Sequence, residues 1–295
     1  MGYFVVESIS TALKFGEEQL SSLEFDHAPR LHAELMLQAA LGIDRASLYL
    51  NPGRMLTEPS EIAYSAFLAR RHKGEPLQHI LGWAAFYGNK FKVGDGAFIP
   101  RFDSEAMVER AIAILESRTS SLEVLDLCCG SGAIGLSIAA ELHDVRLTLL
   151  DSEPTPLKYA ALNAEALNLS SRTSIVRASA LGPFPESWHN RFDLIVANPP
   201  YIPISEISTL PVDVREGDPL SALTDGGDGL SFYRAWSLIL PGVMKTNGIF
   251  LTEIGDGAVN QVTEILSPWF IVTDVINDCS GNQRSVECRS LTIAD

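Results

Sequence analysis

The chain of 295 residues is 46% hydrophobic and 20% charged, an ordinary globular balance, and its length suits two domains with a sizeable core. Its 22 basic and 37 acidic residues leave a formal charge of −15, which argues against a protein that grips a phosphate backbone and reads most simply as solubility. No run approaches the roughly 18 apolar residues of a membrane span, Met1 to Leu13 lacks a basic start followed by an apolar core, and the four cysteines form no disulfide framework, so a cytoplasmic protein is expected.

Residues 1–77 read as a helical domain. Leu31, Leu35 and Ala39 recur at helical spacing with Gly42 as a stop, and a second helix runs from Pro59 to His72 with Thr57 or Ser60 as its cap. Ile62, Phe67 and Leu68 are expected in its core. Residues 78–101 are strand-like and punctuated by glycine, which predicts a β-hairpin linker turning at Phe86–Asn89, with a strand over Phe91–Val93. Over residues 102–295 strands and helices alternate, as a parallel α/β sheet requires. Later strands are predicted at Ser174–Val176, Gly248–Thr252, Phe270–Val275 and Val286–Leu291. The six histidines show no ligand spacing with cysteine or acid, so no metal is expected.

Two motifs in that last region carry chemistry. In Val124–Leu136 a short apolar strand runs into Gly130-Ser131-Gly132 and then an alanine-rich helix. Glycines at such a turn let a ligand lie on bare backbone and against the positive end of the helix. Leu147–Asp151 is a second strand ending in an acid able to accept both ribose hydroxyls of a nucleoside. Gly130, Gly132 and Gly135 also fit the dinucleotide pattern G-x-G-x-x-G, but Asp126 stands four residues ahead of Gly130, where an anionic pyrophosphate is unwelcome and the ammonium and sulfonium of S-adenosylmethionine fit better. A helix N-terminal acid satisfying free N–H groups is the alternative reading of Asp126.

The second motif is Asn198-Pro199-Pro200-Tyr201, which follows the apolar strand Phe192–Ala197. Two prolines end the ladder and stiffen the turn. The Asn198 amide and the backbone carbonyls are then free to accept from a planar –NH2 group, a carboxamide or an exocyclic amine, beside an aromatic ring. Gly130, Asp151 and Asn198 all fall at carboxyl ends of strands, where the ligand crevice of such a sheet lies. A methyltransferase explains both motifs; a nicotinamide-dependent dehydrogenase leaves Asp126 and the Asn-Pro-Pro-Tyr tetrad without a role.

From about Gly74 to Arg289 the chain resembles the HemK/PrmC-type protein-glutamine methyltransferases that modify class I peptide-chain release factors. The resemblance is carried by Gly74–Gly82, Phe86-Tyr87-Gly88, Ile99-Pro100-Arg101 with Glu105, the glycine turn, Asn198–Pro203, Asp225–Leu230, Glu253-Ile254-Gly255 and Asp278–Arg284. The tetrad alone is shared with DNA adenine amino-methyltransferases, which remain the alternative; the Ile-Pro-Arg and Asp-Gly-Gly-Asp-Gly-Leu segments make the match specific. The chain departs from the family where Cys128-Cys129 stands for Gly-Thr, Phe102–Glu105 for Pro-Glu-Thr-Glu, Ser179 for an acid and Asp218-Pro219 for Glu-Pro.

The resemblance implies a Rossmann-like class I S-adenosylmethionine-dependent methyltransferase sheet over residues 102–295, an N-terminal helical substrate-recognition domain and a monomer. It implies S-adenosyl-L-methionine as cofactor, with S-adenosyl-L-homocysteine as product, a class I release factor as protein partner, and no stable nucleic-acid or membrane binding. Asp126, Cys128, Cys129, Gly130, Ser131 and Gly132 would hold the methionine part, Asp151 the ribose, and Ser179 with Ala180 the adenine. Asn198 would border the cofactor, and with the Pro199 carbonyl it would accept the two N–H hydrogens of the substrate glutamine. Pro200 would keep the turn rigid and Tyr201 would pack on the amide plane. Arg101 and Glu105 fall near the site or serve as a salt link or cap; Arg284 is read as structural.

Overall fold

The computed structural model describes residues 8–118 and 121–291, and the chain folds as two compact units. The first runs up to Trp83 and includes Leu210–Gly217; the second comprises Ala84–Thr209 and the chain from Asp218 onward. No helix among the described residues is long and apolar enough to cross a membrane.

The first unit is helical: α1 (Ile9–Ser21), α2 (Pro29–Leu41), α3 (Arg45–Leu50), α4 (Glu58–His72) and α5 (Leu77–Leu81). Local rules set the ends. Ser8 with Thr11 and Thr57 with Ser60 form reciprocal caps on α1 and α4, and α2 begins on Pro29 and stops at Gly42, whose φ is 64°. Leu68 is buried and Phe67 packs partly buried on the same core, as expected, whereas Ile62 does not. On α2 the buried stripe is Ala33, Met36 and Leu37, with Leu31 exposed; on α4 it is Ser60, Tyr64, Leu68 and Arg71. Ile62 lies two residues, about 200° of helical turn, from Tyr64, and so faces solvent at 64% exposure. The buried Glu34 carboxylate is satisfied by Arg30, Arg45 and the Tyr49 hydroxyl.

A hairpin follows, β1 (Trp83–Phe86) and β2 (Asn89–Lys92), closed by Tyr87 and Gly88, both with positive φ, the turn that matches strand twist. Then come α6 (Glu105–Glu116), β3 (Leu122–Leu127), α7 (Ala133–Glu141), β4 (Val145–Asp151), α8 (Pro154–Ala166), β5 (Thr173–Arg177) and β6 (Phe192–Ala197). The short α9 (Val212–Gly217), which belongs to the first unit, and α10 (Leu220–Leu223) precede α11 (Ser231–Val243), β7 (Met244–Glu253), α12 (Val259–Leu266), β8 (Phe270–Asn277) and β9 (Gln283–Ser290).

The sheet order is β5-β4-β3-β6-β7-β9-β8. The first five are parallel, as expected; β9 alone runs antiparallel, between β7 and β8, because β8 and β9 form a tight hairpin over Asp278–Asn282. Strand side chains alternate between two cores. Val124, Leu149, Leu194 and Leu251 join Leu136 on the α7 face, whereas Leu125, Leu150, Ile195 and Phe250 join Trp236 and Leu240 on the α11 face. β6 is buried at all six positions. From β3 the chain moves outward to β4 and β5 and returns on the other side as β6, which makes the β3/β6 boundary the point where a ligand crevice opens.

Candidate active site

The ladder fixes the site's floor. Leu127 pairs with Leu150 on one side and Ala197 on the other, so Cys128, Asp151 and Asn198 emerge side by side from three adjacent strands. They border a cavity of about 270 Å³ wholly within the second unit.

The β3–α7 turn forms one wall through Cys128, Cys129, Gly130 and Ser131. Its backbone curls because Cys128, Gly130 and Gly132 all take left-handed φ, of 57°, 56° and 78°. Gly132 is needed on two counts, since a Cβ there would also stand 2.9 Å from Leu136 and 3.0 Å from Leu149. Asp151 braces this turn: its Oδ2 accepts the Gly130 N–H at 2.9 Å while Oδ1 accepts the Glu153 N–H at 3.0 Å. Burial pushes its carboxyl up from the usual range, opposed by those two amides. Burial likewise raises the Cys128 and Cys129 thiols, so both stay protonated.

Asp126 lies elsewhere. The alternation of β3 turns its side chain to the α7 face, behind the glycine turn, where Oδ2 accepts the Gly135 N–H at 2.9 Å and Oδ1 is buried without a hydrogen-bond partner among the described residues. Burial pushes its carboxyl up to about 7, against the Gly135 bond and helped by the nearby Asp151 charge. Of the two readings of this acid, the geometry matches the one that satisfies a helix N-terminus.

Ser179 and Ala180 line the cavity after β5, with the Ala180 carbonyl held by the Trp236 indole N–H at 2.8 Å. At the end of β6, Asn198 and Pro200 reach the lining while Pro199 and Tyr201 stand beside it. Among the described residues, no group hydrogen-bonds the Asn198 side chain, and the Pro199 carbonyl accepts no loop or turn hydrogen bond. The tetrad is clamped from outside. Ile202 donates its N–H to the Leu223 carbonyl and Ile204 to that of Gly227, both at 2.9 Å. The Asp225 carboxylate gathers the N–H groups of Gly227, Gly229 and Ser231, shaping the loop that presses on Tyr201.

Three further parts complete the site: Arg101, expected near the site or in a salt link; Glu253, part of a segment that carries the resemblance; and Asn163, for which the sequence offered no signal. Asn163 on α8 ties Lys92 of β2 to the Ser131 carbonyl, joining hairpin to glycine turn across 71 and 32 residues of chain. Arg101 lines the cavity, stacked over Phe98 at 5.2 Å and paired with the buried Asp218, which also accepts the Ile99 N–H. Glu253 receives the hydroxyls of Ser104 and Tyr201. Glu105 accepts the Tyr87 N–H at 2.7 Å, and Arg284 bonds Asp278 at 3.1 Å and reaches Asp103 at 3.3 Å, so both have structural partners.

The family profile of the PrmC N-terminal domain matches residues 11–82, and that of the methyltransferase small domain matches residues 104–210. A release factor glutamine methyltransferase of Chlorobaculum tepidum is 34% identical over 289 residues, covering 96% of each chain. One from Bradyrhizobium diazoefficiens is 34% identical over 295 residues, covering 98% of this chain and 97% of its own. The chain belongs to the release factor glutamine methyltransferase family. It is thereby a methyltransferase of the protein-glutamine class with the class I fold. Among solved structures, the release-factor-specific protein-(glutamine-N5) methyltransferase of Alicyclobacillus acidocaldarius is 28% identical, covering 68% of this chain and all of its own, with a TM-score of 0.41. The family's Asp225–Leu230 and Glu253–Gly255 segments prove in this chain to be the clamp on the tetrad.

Proposed function

We propose that the protein transfers a methyl group from S-adenosyl-L-methionine to the side-chain amide nitrogen of the glutamine in the Gly-Gly-Gln loop of a class I peptide-chain release factor. The observation that carries this reading is the convergence of the glycine turn, Asp151 and an Asn198 amide without a partner among the described residues on one cavity, in a chain of this family.

The cavity suits the cofactor. Curled backbone at Cys128–Gly132 leaves space for the methionine part, Asp151 keeps lone pairs for ribose hydroxyls, and Ser179 with Ala180 borders a flat apolar ring. Asp126 serves this end indirectly, by holding the turn from behind. When bound, S-adenosylmethionine supplies a methyl group made electrophilic by its sulfonium.

The glutamine amide nitrogen is a poor nucleophile because its lone pair is shared with the carbonyl. Asn198 Oδ1 and the Pro199 carbonyl would accept its two N–H hydrogens, which would fix the amide plane at the cavity and favour positive charge on nitrogen. The bound cofactor would supply the methyl group and take back the S–C electron pair, and the methylated nitrogen would release one proton to water. Each hydrogen bond contributes about 1 kcal/mol, whereas fixed orientation contributes up to about 7–11 kcal/mol, so rigidity of the tetrad outweighs its contact energy. The helical unit contributes to recognising the body of the factor.

The test is methyl transfer from radiolabelled S-adenosylmethionine to a purified class I release factor, alongside a factor with its loop glutamine changed to alanine and duplex DNA. Label on the intact factor alone supports the reading. Label on DNA alone moves the activity to the adenine amino-methyltransferases, and label on neither overturns the substrate assignment.

A further inference from the structure

Glu253 ends β7 one residue beyond Thr252, which pairs with Ala197, so it stands level with Asn198 on the neighbouring strand. It is 3% exposed, and among the described residues no cation lies within ion-pair distance of its carboxylate. Its oxygens are satisfied by two hydroxyls: Ser104, which lines the cavity, donates to Oε2, and Tyr201 donates to Oε1 at 3.1 Å. Tyr233 donates to the Glu253 carbonyl at 2.7 Å, fixing the backbone that carries it. A buried carboxylate without a cation costs several kcal/mol in desolvation, and a glutamine would fill the same space more cheaply. A carboxylate at this position therefore calls for work that only a charge does.

We propose that Glu253 is a positioning residue of the methyl-transfer site that acts through Tyr201, fixing the phenol and placing negative charge behind the ring on which the reacting amide packs. The inference rests on the function proposed above. Tyr201 has little freedom: its phenol is tied to Glu253, its backbone bridges Thr224, and its ring lies against Gly255, where a Cβ would stand 3.4 Å from Cδ2. A phenol donating to a carboxylate is polarised, and its ring face becomes more electron-rich. Positive charge moves from sulfonium to amide nitrogen during transfer, and an aromatic face attracts it most strongly when shielded from water. Ser104 holds the other oxygen of the same carboxylate and so fixes the orientation in which it meets the phenol.

Charged and titratable groups face Glu253 from every side: Asp103 beside Ser104, Arg284 from β9, Tyr201 after β6 and Tyr233 on α11. Burial raises the carboxyl while the Ser104 and Tyr201 hydroxyls and the Arg284 field lower it. Protonation at acid pH removes the charge, so kcat should carry an acid limb that depends on Glu253.

The test uses the full chain with E253Q, Y201F and the double variant, measuring kcat on a release factor, KM for the factor, calorimetric Kd for cofactor, and kcat against pH. Expected are a fall of about tenfold or more in kcat for E253Q, cofactor Kd changed by less than about threefold, loss of the acid limb, and a double variant no slower than Y201F because Glu253 acts through the Tyr201 hydroxyl that Y201F removes. Effects that multiply in the double variant, or an E253Q that keeps wild-type kcat and acid limb, overturn the inference. If E253Q does not fold, the Tyr201 13Cζ resonance of the wild type, assigned with Y201F, decides: it should titrate together with the acid limb, and a pH-independent resonance overturns the inference. A wild-type protein that leaves the factor unlabelled overturns the functional reading itself, a result separate from any variant effect.

Discussion

A Cβ built on Gly229 would lie 2.0 Å from the carbonyl oxygen of Tyr201 and 2.7 Å from its carbonyl carbon. Gly229 also has φ of 77°, so both its contact and its conformation exclude a side chain. The loop that begins at Asp225 is thus the outer jaw of a clamp whose inner jaw is the strand end bearing Asn198.

Gly229→Ala should push the tetrad inward or unseat the loop. A destabilisation of about 1–3 kcal/mol is expected from strain alone, and a larger loss in turnover, on the order of a hundredfold, because roughly 1 Å of misplacement suffices for that. Thermal melting and kcat at saturating cofactor check both. A variant with normal kcat would show that the clamp is not needed.

Asp151→Ala should act on the cofactor and not on the acceptor. The change removes a carboxylate that holds the Gly130 and Glu153 amides and leaves those donors unpaired. Calorimetry should record a cofactor affinity at least tenfold weaker, about 1.4 kcal/mol. Asn198→Ala should give the reverse pattern, with turnover depressed and cofactor Kd little changed.

Asp126 predicts a pH effect on stability. Its carboxyl is raised from 3.8 to about 7 by burial, so the folded protein binds a proton there that the unfolded chain releases. Stability from this group is therefore present below about pH 4 and is lost as pH rises towards 7. Asp126→Asn, which keeps an oxygen for the Gly135 N–H, should raise Tm little at pH 5 and by several degrees at pH 8. Equal shifts at both pH values would contradict the assignment.

Cys128 holds a left-handed φ of 57°, a conformation that favours glycine. That conformation costs a non-glycine residue about 1–2 kcal/mol, against which glycine's extra freedom in the unfolded chain sets about 0.5–1 kcal/mol. Cys128→Gly should thus hold or raise Tm by a few degrees and leave cofactor affinity unchanged, because the Cys128 side chain packs against the α11-face core. A lowered Tm would mean that the thiol's packing outweighs the strain.

Much of this was legible in the chain. The apolar run Phe192–Ala197 followed by two prolines announced a buried strand with a stiff end, and the glycine turn and Asp151 lay at the ends of their own strands. What stayed hidden depends on long-range contact. Nothing local marks Asn163 as the link between Lys92 and Ser131, or Glu253 as the acceptor for Ser104 across 149 residues. Periodicity gave α4 its existence but not its buried face, since Ile62 and Tyr64 are both apolar and only packing chooses between them. Asp126 was ambiguous for the same reason: spacing put it near the turn, and strand alternation decided which side.

The central claim is that the Asn198 turn aims a glutamine amide at the methyl group. The most direct measurement is mass spectrometry of a class I release factor after reaction with the wild type and with Asn198→Ala, with peptides mapped across the Gly-Gly-Gln loop and cofactor saturation verified by calorimetry. The account predicts one added methyl on the loop glutamine with the wild type and at least a hundredfold slower appearance with the variant, at nearly equal cofactor affinity. A methyl group on any other residue, or an Asn198→Ala enzyme that methylates at the wild-type rate, would contradict it.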